Sequence, residues 1–131
     1  RGNRSRQARR ILHRTVVRSM ILSVSNISWL PEERCAAYDL LAEAEIPGLE
    51  IAPGLFFSAA EDPFVPDATT ARAAVEEIAT HGLTLVSMQS LLFGVQGAAL
   101  LGDADARAAF TTGMERAIDI AGRFGIPNLV F

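Results

Sequence analysis

Apolar residues along the chain follow two different spacings. Short runs rich in β-branched residues predict strands, whereas apolar residues at roughly every third or fourth position predict a buried helix face. The two patterns alternate, so the predicted order is β-α-β-α-β-α-β, with parallel strands joined by helical crossovers. The predicted strands cover residues 21–28, 49–52, 83–88 and 128–131.

Capping and helix-breaking residues predict where the helices begin and end. Threonine, aspartate or proline favours a helix start, and glycine favours a helix stop. His81 is expected to bond a terminal carbonyl group of the second helix. The predicted starts are Pro31, Thr69 or Thr70, and Asp103 or Asp105, and the predicted stops are Pro47-Gly48, His81-Gly82 and Gly125.

The connections between these elements are unequal in length. Helix-to-strand connections are short, but long loops follow the second and third strands, over residues 53–67 and 89–102. Long loops at one end of a parallel sheet are where α/β proteins build their sites. We therefore expect functional residues at the C-terminal ends of the strands. Both an open doubly wound sheet and a closed eight-stranded barrel have this pattern.

No glycine-rich phosphate-binding turn follows the first strand. A dinucleotide-binding fold would place G-x-G-x-x-G there, but residues 25–30 contain no glycine. The sequence has no Walker A motif either. A flavodoxin-like open sheet remains an alternative without a positive motif.

Charge divides the chain into two parts. Residues 1–18 contain seven arginines and no acid, while the rest holds five arginines against all 15 acids, a net charge of −10. We predict that residues 1–19 form a basic, disordered arm that packs against nothing. A targeting peptide and a nucleic-acid-binding arm are the other interpretations. The acidic body does not favour a nucleic-acid partner, because phosphate binding needs clustered cations.

The composition favours one packed domain. The 131 residues are 50% apolar, and no apolar run reaches the roughly 20 residues of a membrane span. We predict a cytoplasmic protein with no membrane partner. Cys35, the single cysteine, cannot form an internal disulfide and is expected to be packed or inert. His13 and His81 lie far apart in the sequence, which argues against a histidine-rich metal site.

Four stretches of the sequence, taken in order, resemble a known family. They are ILSVSNISW at 21–29, GLEIAP at 48–53, LTLVSMQSLLFG at 83–94 and ERAIDIAGRFGIPNLVF at 115–131. The set is similar to the sugar phosphate isomerase/epimerase family of xylose-isomerase-like TIM barrels. The resemblance implies a (β/α)8 barrel of about 250 residues. Residues 20–131 would then be its N-terminal half, a partial barrel of about four parallel strands and three helices.

The resemblance also implies an activity. The intact protein would isomerise or epimerise a small sugar or sugar phosphate with the help of a divalent metal: Mn, Mg, Co or Zn. The family holds that metal with carboxylates and histidine on later strands, so no residue of this chain is predicted to ligate it. The chain alone is expected to be inactive and to bind no metal tightly. An abasic-site endonuclease of the same superfamily and a non-catalytic binding module are the alternatives.

Glu50 is the candidate catalytic residue. It lies between Leu49 and Ile51 on an apolar strand, so its side chain is expected to point inward, as is that of Ala52. A buried carboxylate needs a partner, which would be a substrate hydroxyl, an arginine or a bound cation. The alternative is a salt-bridged glutamate that joins two strands.

Four further residues are candidates for substrate binding. Asn26 and Trp29 close the first strand, and Gln89 and Phe93 open the loop after the third and resemble the family's site rim. The amides would contact sugar hydroxyls and the aromatic rings would form an apolar wall. The structural alternatives are a strand-end cap for Asn26 and core or loop packing for the two aromatic residues.

The partner expected for this site is small. Between residues 48 and 102 the only arginine is Arg72, among several acids, which favours a neutral or polyol substrate over DNA. An open half-barrel would also leave its edges and inner face uncovered, so the chain alone is expected either to self-associate, as in a homo-oligomer, or to stay partly molten.

Overall fold

The computed structural model describes residues 20–131. The basic arm, residues 1–19, lies outside the described residues, so the predictions about it stay predictions. The described part of the chain is an α/β arrangement of a three-stranded parallel sheet and four α-helices.

The strands lie side by side in their sequence order. β1 (Ser23–Ser25), β2 (Gly48–Ile51) and β3 (Thr84–Met88) form the order β1-β2-β3, and both pairs are parallel. β1 is shorter than the predicted 21–28 because Asn26–Ser28 turns into a 3-10 helix. The parallel β-α-β-α-β pattern predicted from hydrophobic spacing is therefore confirmed.

The predicted fourth strand is reduced to one bridge. Leu129 pairs with Met88 in parallel. The Met88 N–H donates to the Asn128 carbonyl O at 2.9 Å, and the Val130 N–H donates to the Met88 carbonyl O at 2.8 Å. This segment therefore extends the sheet beyond β3 in the same direction, but only at one position.

The helices are α1 (Arg34–Glu43), α2 (Pro53–Phe56), α3 (Ala68–Thr80) and α4 (Ala104–Phe124). The segment predicted to start α1 forms a 3-10 turn, Pro31–Glu33, before the α-helix proper. The one-turn helix α2 was not predicted and lies in the long loop after β2. Its signal in the sequence is the proline at its first position, which is preset for a helical φ.

The helix caps correct one prediction and confirm two. The cap of α3 is Asp67, not Thr69 or Thr70, because its Oδ1 accepts the backbone N–H groups of both threonines, at 2.8 and 3.0 Å. Asp103 caps α4 by accepting a backbone N–H at 2.9 Å, one of the two predicted starts. Gly125 ends α4 with φ 64°, a left-handed conformation that favours glycine.

A β-bulge decides which side chains of β3 face the helices. Leu49 pairs with Leu85, but the next residue, Glu50, pairs with Ser87, so Val86 has no partner in the ladder. Strict alternation would put Leu85 and Ser87 on the same face. The extra residue moves Ser87 to the face that carries Glu50.

The core lies on one face of the sheet. Side chains from α1, α3 and α4 pack in a single cluster with the β2 and β3 side chains that alternate away from Glu50. The three longer helices therefore cover one face, as the sequence predicted. The buried cluster includes Tyr38, Leu41, Leu49, Ile51, Phe56, Phe57, Phe64, Ile78, Leu83, Leu85, Met88, Leu91, Ala117, Ile120, Ala121 and Ile126.

Candidate functional site

Polar side chains run across the face of the sheet that the helices leave uncovered. Ser25 pairs with Glu50 and Glu50 pairs with Ser87, so the three stand in one row across β1, β2 and β3. Gln89 is the first residue after β3. We call these four residues the polar cluster. They lie at the C-terminal ends of the strands, where the loop lengths predicted a site.

Two neutral donors hold the Glu50 carboxylate. Ser87 Oγ donates to Glu50 Oε2 at 2.7 Å, and Gln89 Nε2 donates to Glu50 Oε1 at 3.0 Å. Gln89 Nε2 also contacts Ser25 Oγ. Glu50 is half-buried. The carboxylate is therefore fixed in direction from two sides, while its remaining lone pairs are free to accept hydrogen bonds from a ligand.

The partners of Glu50 differ from those expected. Among residues 20–131, no arginine or histidine lies within ion-pair distance of it, so its observed partners are a hydroxyl and an amide. Sequence reasoning missed Ser25 and Ser87. Ser25 could have been found as the last residue of its strand, but Ser87 faces Glu50 only because of the bulge.

Asn26 is tied to the backbone at the end of β2. Its Oδ1 accepts the Ala52 N–H at 2.7 Å, and its Nδ2 donates to the Ala52 carbonyl O at 3.3 Å. Asn26 is only 3% exposed and Ala52 only 5%. This pair of bonds extends the pairing of β1 with β2 by one side chain, which is the arrangement expected of a strand-end cap.

The two aromatic candidates lie in different environments. Trp29 is half-buried and packs edge-on against Tyr38, with 6.0 Å between ring centroids. Phe93 is 63% exposed, and its ring lies beside Gly54 of α2. Trp29 therefore belongs to the core, whereas Phe93 stands at the surface near Gln89.

An open cavity of about 390 Å³ adjoins the polar cluster through Gln89. The part of its wall formed by residues 20–131 is mostly apolar and contains no charged side chain. Ser90, in this wall, has φ 58°, a left-handed value that is strained for a residue other than glycine. The lining residues are Gln89, Ser90, Leu91, Leu92, Phe93, Val130 and Phe131.

His81 and Cys35 lie on the helices. The Nδ1 of His81 lies 2.8 Å from the Glu77 carbonyl O, which confirms the predicted bond to the end of α3. Cys35 is exposed rather than packed, and it donates to Glu77 Oε1 at 3.2 Å. The hydrogen bond to that carboxylate raises the pKa of the Cys35 thiol, which disfavours the reactive thiolate.

The polar cluster does not fit a divalent metal. Residues 20–131 contain no group of three or more histidine, cysteine, aspartate or glutamate side chains that could hold one. The cluster offers one carboxylate, two hydroxyls and an amide, and that carboxylate already accepts two hydrogen bonds. Divalent cations need several converging oxygen or nitrogen donors. We therefore derive no reaction step through a metal at these residues.

No protein-family model, curated protein or solved structure matches the chain. Within residues 20–131, none of the helices has the length and apolar character needed to cross a membrane.

Proposed function

We propose that residues 20–131 form the first units of a xylose-isomerase-like barrel. Three features support this. The strands follow each other in sequence order, the longer helices share one face, and Leu129 continues the sheet in the same direction. A doubly wound sheet instead reverses its strand order and carries helices on both faces.

We further propose that the chain belongs to a sugar isomerase or epimerase, with Glu50 at the substrate. The observation that carries this proposal is the Glu50 carboxylate, held by Ser87 and Gln89 at the C-terminal ends of parallel strands. A carboxylate in this position can accept hydrogen bonds from vicinal hydroxyls. It can also take a proton from the carbon next to a carbonyl group and return it to a neighbouring atom.

The environment favours a neutral sugar or polyol over a sugar phosphate. Phosphate recognition uses arginine, lysine or the amino end of a helix. Within residues 20–131, the polar cluster and the lining of the adjoining cavity include no cationic side chain, and Glu50 is the one charged side chain there. The exposed Phe93 ring would pack against the face of a sugar ring that carries its C–H groups.

The nuclease alternative has no comparable support. A DNA-binding groove needs cations on the loops at this end of the sheet. In the described loops Glu61, Asp62 and Asp67 precede α3, and an acidic residue also caps α4. A non-catalytic sugar-binding module remains the alternative in which Glu50 accepts hydroxyl hydrogens and moves no proton.

Ligand titration of the 131-residue chain tests the proposal. A neutral aldose, its ketose isomer and the corresponding phosphates are titrated into the wild type, Glu50→Gln and Glu43→Gln, with binding followed by saturation-transfer NMR. Glu43 is an exposed glutamate of α1 and serves as the matched control. We expect the neutral sugars to bind more tightly than the phosphates, Glu50→Gln to lose binding, and Glu43→Gln to retain it.

The result that overturns the proposal is the absence of sugar binding, or equal binding by the wild type and Glu50→Gln. A parallel assay follows interconversion of the two neutral sugars. For the chain alone we expect no turnover above background, because residues 20–131 hold no ligand set for the divalent metal that the resemblance implies and the uncovered face is open to water. Turnover that Glu50→Gln abolishes would show that this part of the chain holds a complete site.

A further inference from the structure

One arginine of α4 contacts both long loops. Arg116 Nη2 donates to the Phe93 carbonyl O at 2.9 Å, and Nη1 lies 3.6 Å from Asp62 Oδ2. The guanidinium carbon lies 4.1 Å from the centre of the Phe64 ring, a cation–π contact. Asp62 and Phe64 lie in the loop between α2 and α3, and Phe93 lies in the loop after β3. A single side chain therefore joins α4 to both loops.

The burial and contacts of Arg116 hold its side chain in one position. The side chain is 29% exposed, and among the described residues its Nε is buried without a hydrogen-bond partner. An unpaired buried N–H costs free energy that it would recover in water. The guanidinium is therefore held between the loops by the contacts of Nη1, Nη2 and the Phe64 ring.

Gly113, about one helical turn before Arg116, lets the loop after β3 pack closely against α4. A Cβ on Gly113 would lie 2.7 Å from Leu92 Cδ2 and 3.1 Å from Val95 Cγ2, so the glycine makes room for both loop side chains. Residues three positions apart lie on one face of a helix. The same face of α4 thus holds side chains of the loop at Gly113 and its backbone at Arg116.

The segment held in this way leads to the polar cluster. The Phe93 N–H donates to the Ser90 carbonyl O at 3.0 Å and closes a turn. Gln89 precedes that turn, and its own N–H donates to the Ile51 carbonyl O at 2.8 Å. Its side-chain amide reaches Glu50. A displacement of the turn would therefore change the position of Gln89 relative to the Glu50 carboxylate.

We infer that Arg116 is a positioning residue, which fixes the turn at residues 90–93 from α4 and so keeps the amide of the preceding Gln89 on the Glu50 carboxylate. The inference rests on the proposed function only for the statement that the polar cluster binds a substrate. The contacts themselves exist without a ligand.

The test is Arg116→Lys, with Arg107→Lys as its matched control. Lysine keeps the charge but loses the planar fork and its stacking on a ring. Arg107 is also on α4 and also donates to a loop carbonyl, that of Gly102, at the other end of the same loop. The readouts are the resonance of the Gln89 side-chain amide and hydrogen exchange of the backbone amides of residues 90–95, in the 131-residue chain without ligand.

We expect Arg116→Lys to move the Gln89 side-chain resonance and to accelerate exchange in residues 90–95 about tenfold, as the loss of one charge-assisted hydrogen bond would. Arg107→Lys should do neither. Gly113→Ala gives an independent check, because its Cβ would push Leu92 away without touching Arg116. It should move the same Gln89 resonance.

The inference is overturned if Arg116→Lys and Gly113→Ala leave the Gln89 side-chain resonance unchanged, even where thermal stability falls. Sugar titration separates this outcome from failure of the proposed function. If Arg116→Lys moves Gln89 but the wild type binds no sugar, positioning stands and the proposed function fails. If the wild type binds sugar and Gln89 does not move in the variants, positioning fails and the proposed function stands.

Discussion

The two faces of the sheet have different roles: one packs against the helices, and the other carries the polar cluster. The face under the helices carries Leu49 and Ile51, both fully buried, and the opposite face carries Glu50 from the same strand. Neighbouring residues of one strand thus serve a packed core and a polar surface at the strand ends. Substitutions one residue apart should therefore change stability and the candidate chemistry of this chain separately.

The largest effect is expected when side chains on the two faces of β2 are truncated one at a time. Ile51→Ala should lower the free energy of unfolding by about 2–5 kcal/mol, because it leaves a cavity among well-packed side chains. Glu50→Ala, one residue earlier, should cost less, about 1–2 kcal/mol, because it removes a half-buried carboxylate with two hydrogen bonds and leaves the buried Ser87 hydroxyl without its acceptor. Urea denaturation of both variants measures the difference. Equal losses would contradict the division between the faces.

The link between β1 and β2 should show an intermediate effect. Asn26→Ala removes both hydrogen bonds to Ala52 and leaves its buried N–H unpaired, which should cost about 1–3 kcal/mol. The Ala52 carbonyl O keeps its hydrogen bonds from the Leu55 and Phe56 N–H groups. Ser58→Ala, at an exposed position in the loop after α2, is the control for a polar-to-alanine change. An Asn26→Ala variant as stable as this control would show that the Asn26 amide does not fasten the end of the strand.

The smallest expected effect concerns a charged contact within the helix layer. Burial opposes ionisation of Glu77, but hydrogen bonds from Arg34 Nε at 2.8 Å and Cys35 Sγ at 3.2 Å leave the pKa of Glu77 below its usual value. A lowered carboxyl pKa stabilises the folded state above the unfolded pKa, about 4.3. That contribution is lost as the pH falls through the folded value.

Thermal unfolding at a series of pH values tests this contact. Glu77→Gln should lose stability relative to the wild type near neutral pH, and the difference should shrink as the pH falls into the acid range. Glu76→Gln removes the same charge from the adjacent, exposed position and controls for net charge. A difference between Glu77→Gln and the wild type that does not depend on pH would contradict the assignment.

Hydrophobic spacing was enough to predict the order of the strands and longer helices, because the buried face of each element leaves a periodic pattern. It also identified Glu50, whose charge interrupts an apolar strand. It could not predict Ser87 as a partner, since the bulge at Val86 is set by pairing with β2 and not by local pattern. The same limit applies to Arg116, whose contacts join segments that are distant in the sequence.

Competition between neighbouring residues explains the other places where the structure differs from the sequence predictions. Asp67 and Thr69 are both good helix caps, and the carboxylate prevails because it accepts two backbone N–H groups at once. Cys35 was expected to be packed or inert. Its thiol is exposed and donates to Glu77, and the same hydrogen bond raises the pKa of the thiol, which agrees with the second expectation and not with the first. Which residue caps a helix, and which way a side chain on it faces, changes with a shift of about one residue along the chain. Hydrophobic periodicity does not resolve a shift of that size.

The most direct test of the central claim is to map where a neutral sugar binds. Among residues 20–131, three of the open cavities are close in size. One of about 390 Å³ lies beside Gln89, one of about 400 Å³ lies between α1, α2 and α3 and includes Arg34 and Glu77, and one of about 420 Å³ lies between α4 and the loop after β3 and includes Arg116. Chemical-shift mapping of the 15N-labelled chain with a neutral sugar distinguishes them. We predict saturable shifts at Ser87 and Gln89 that disappear in Glu50→Gln, whereas shifts confined to Arg34 and Glu77 would contradict the account.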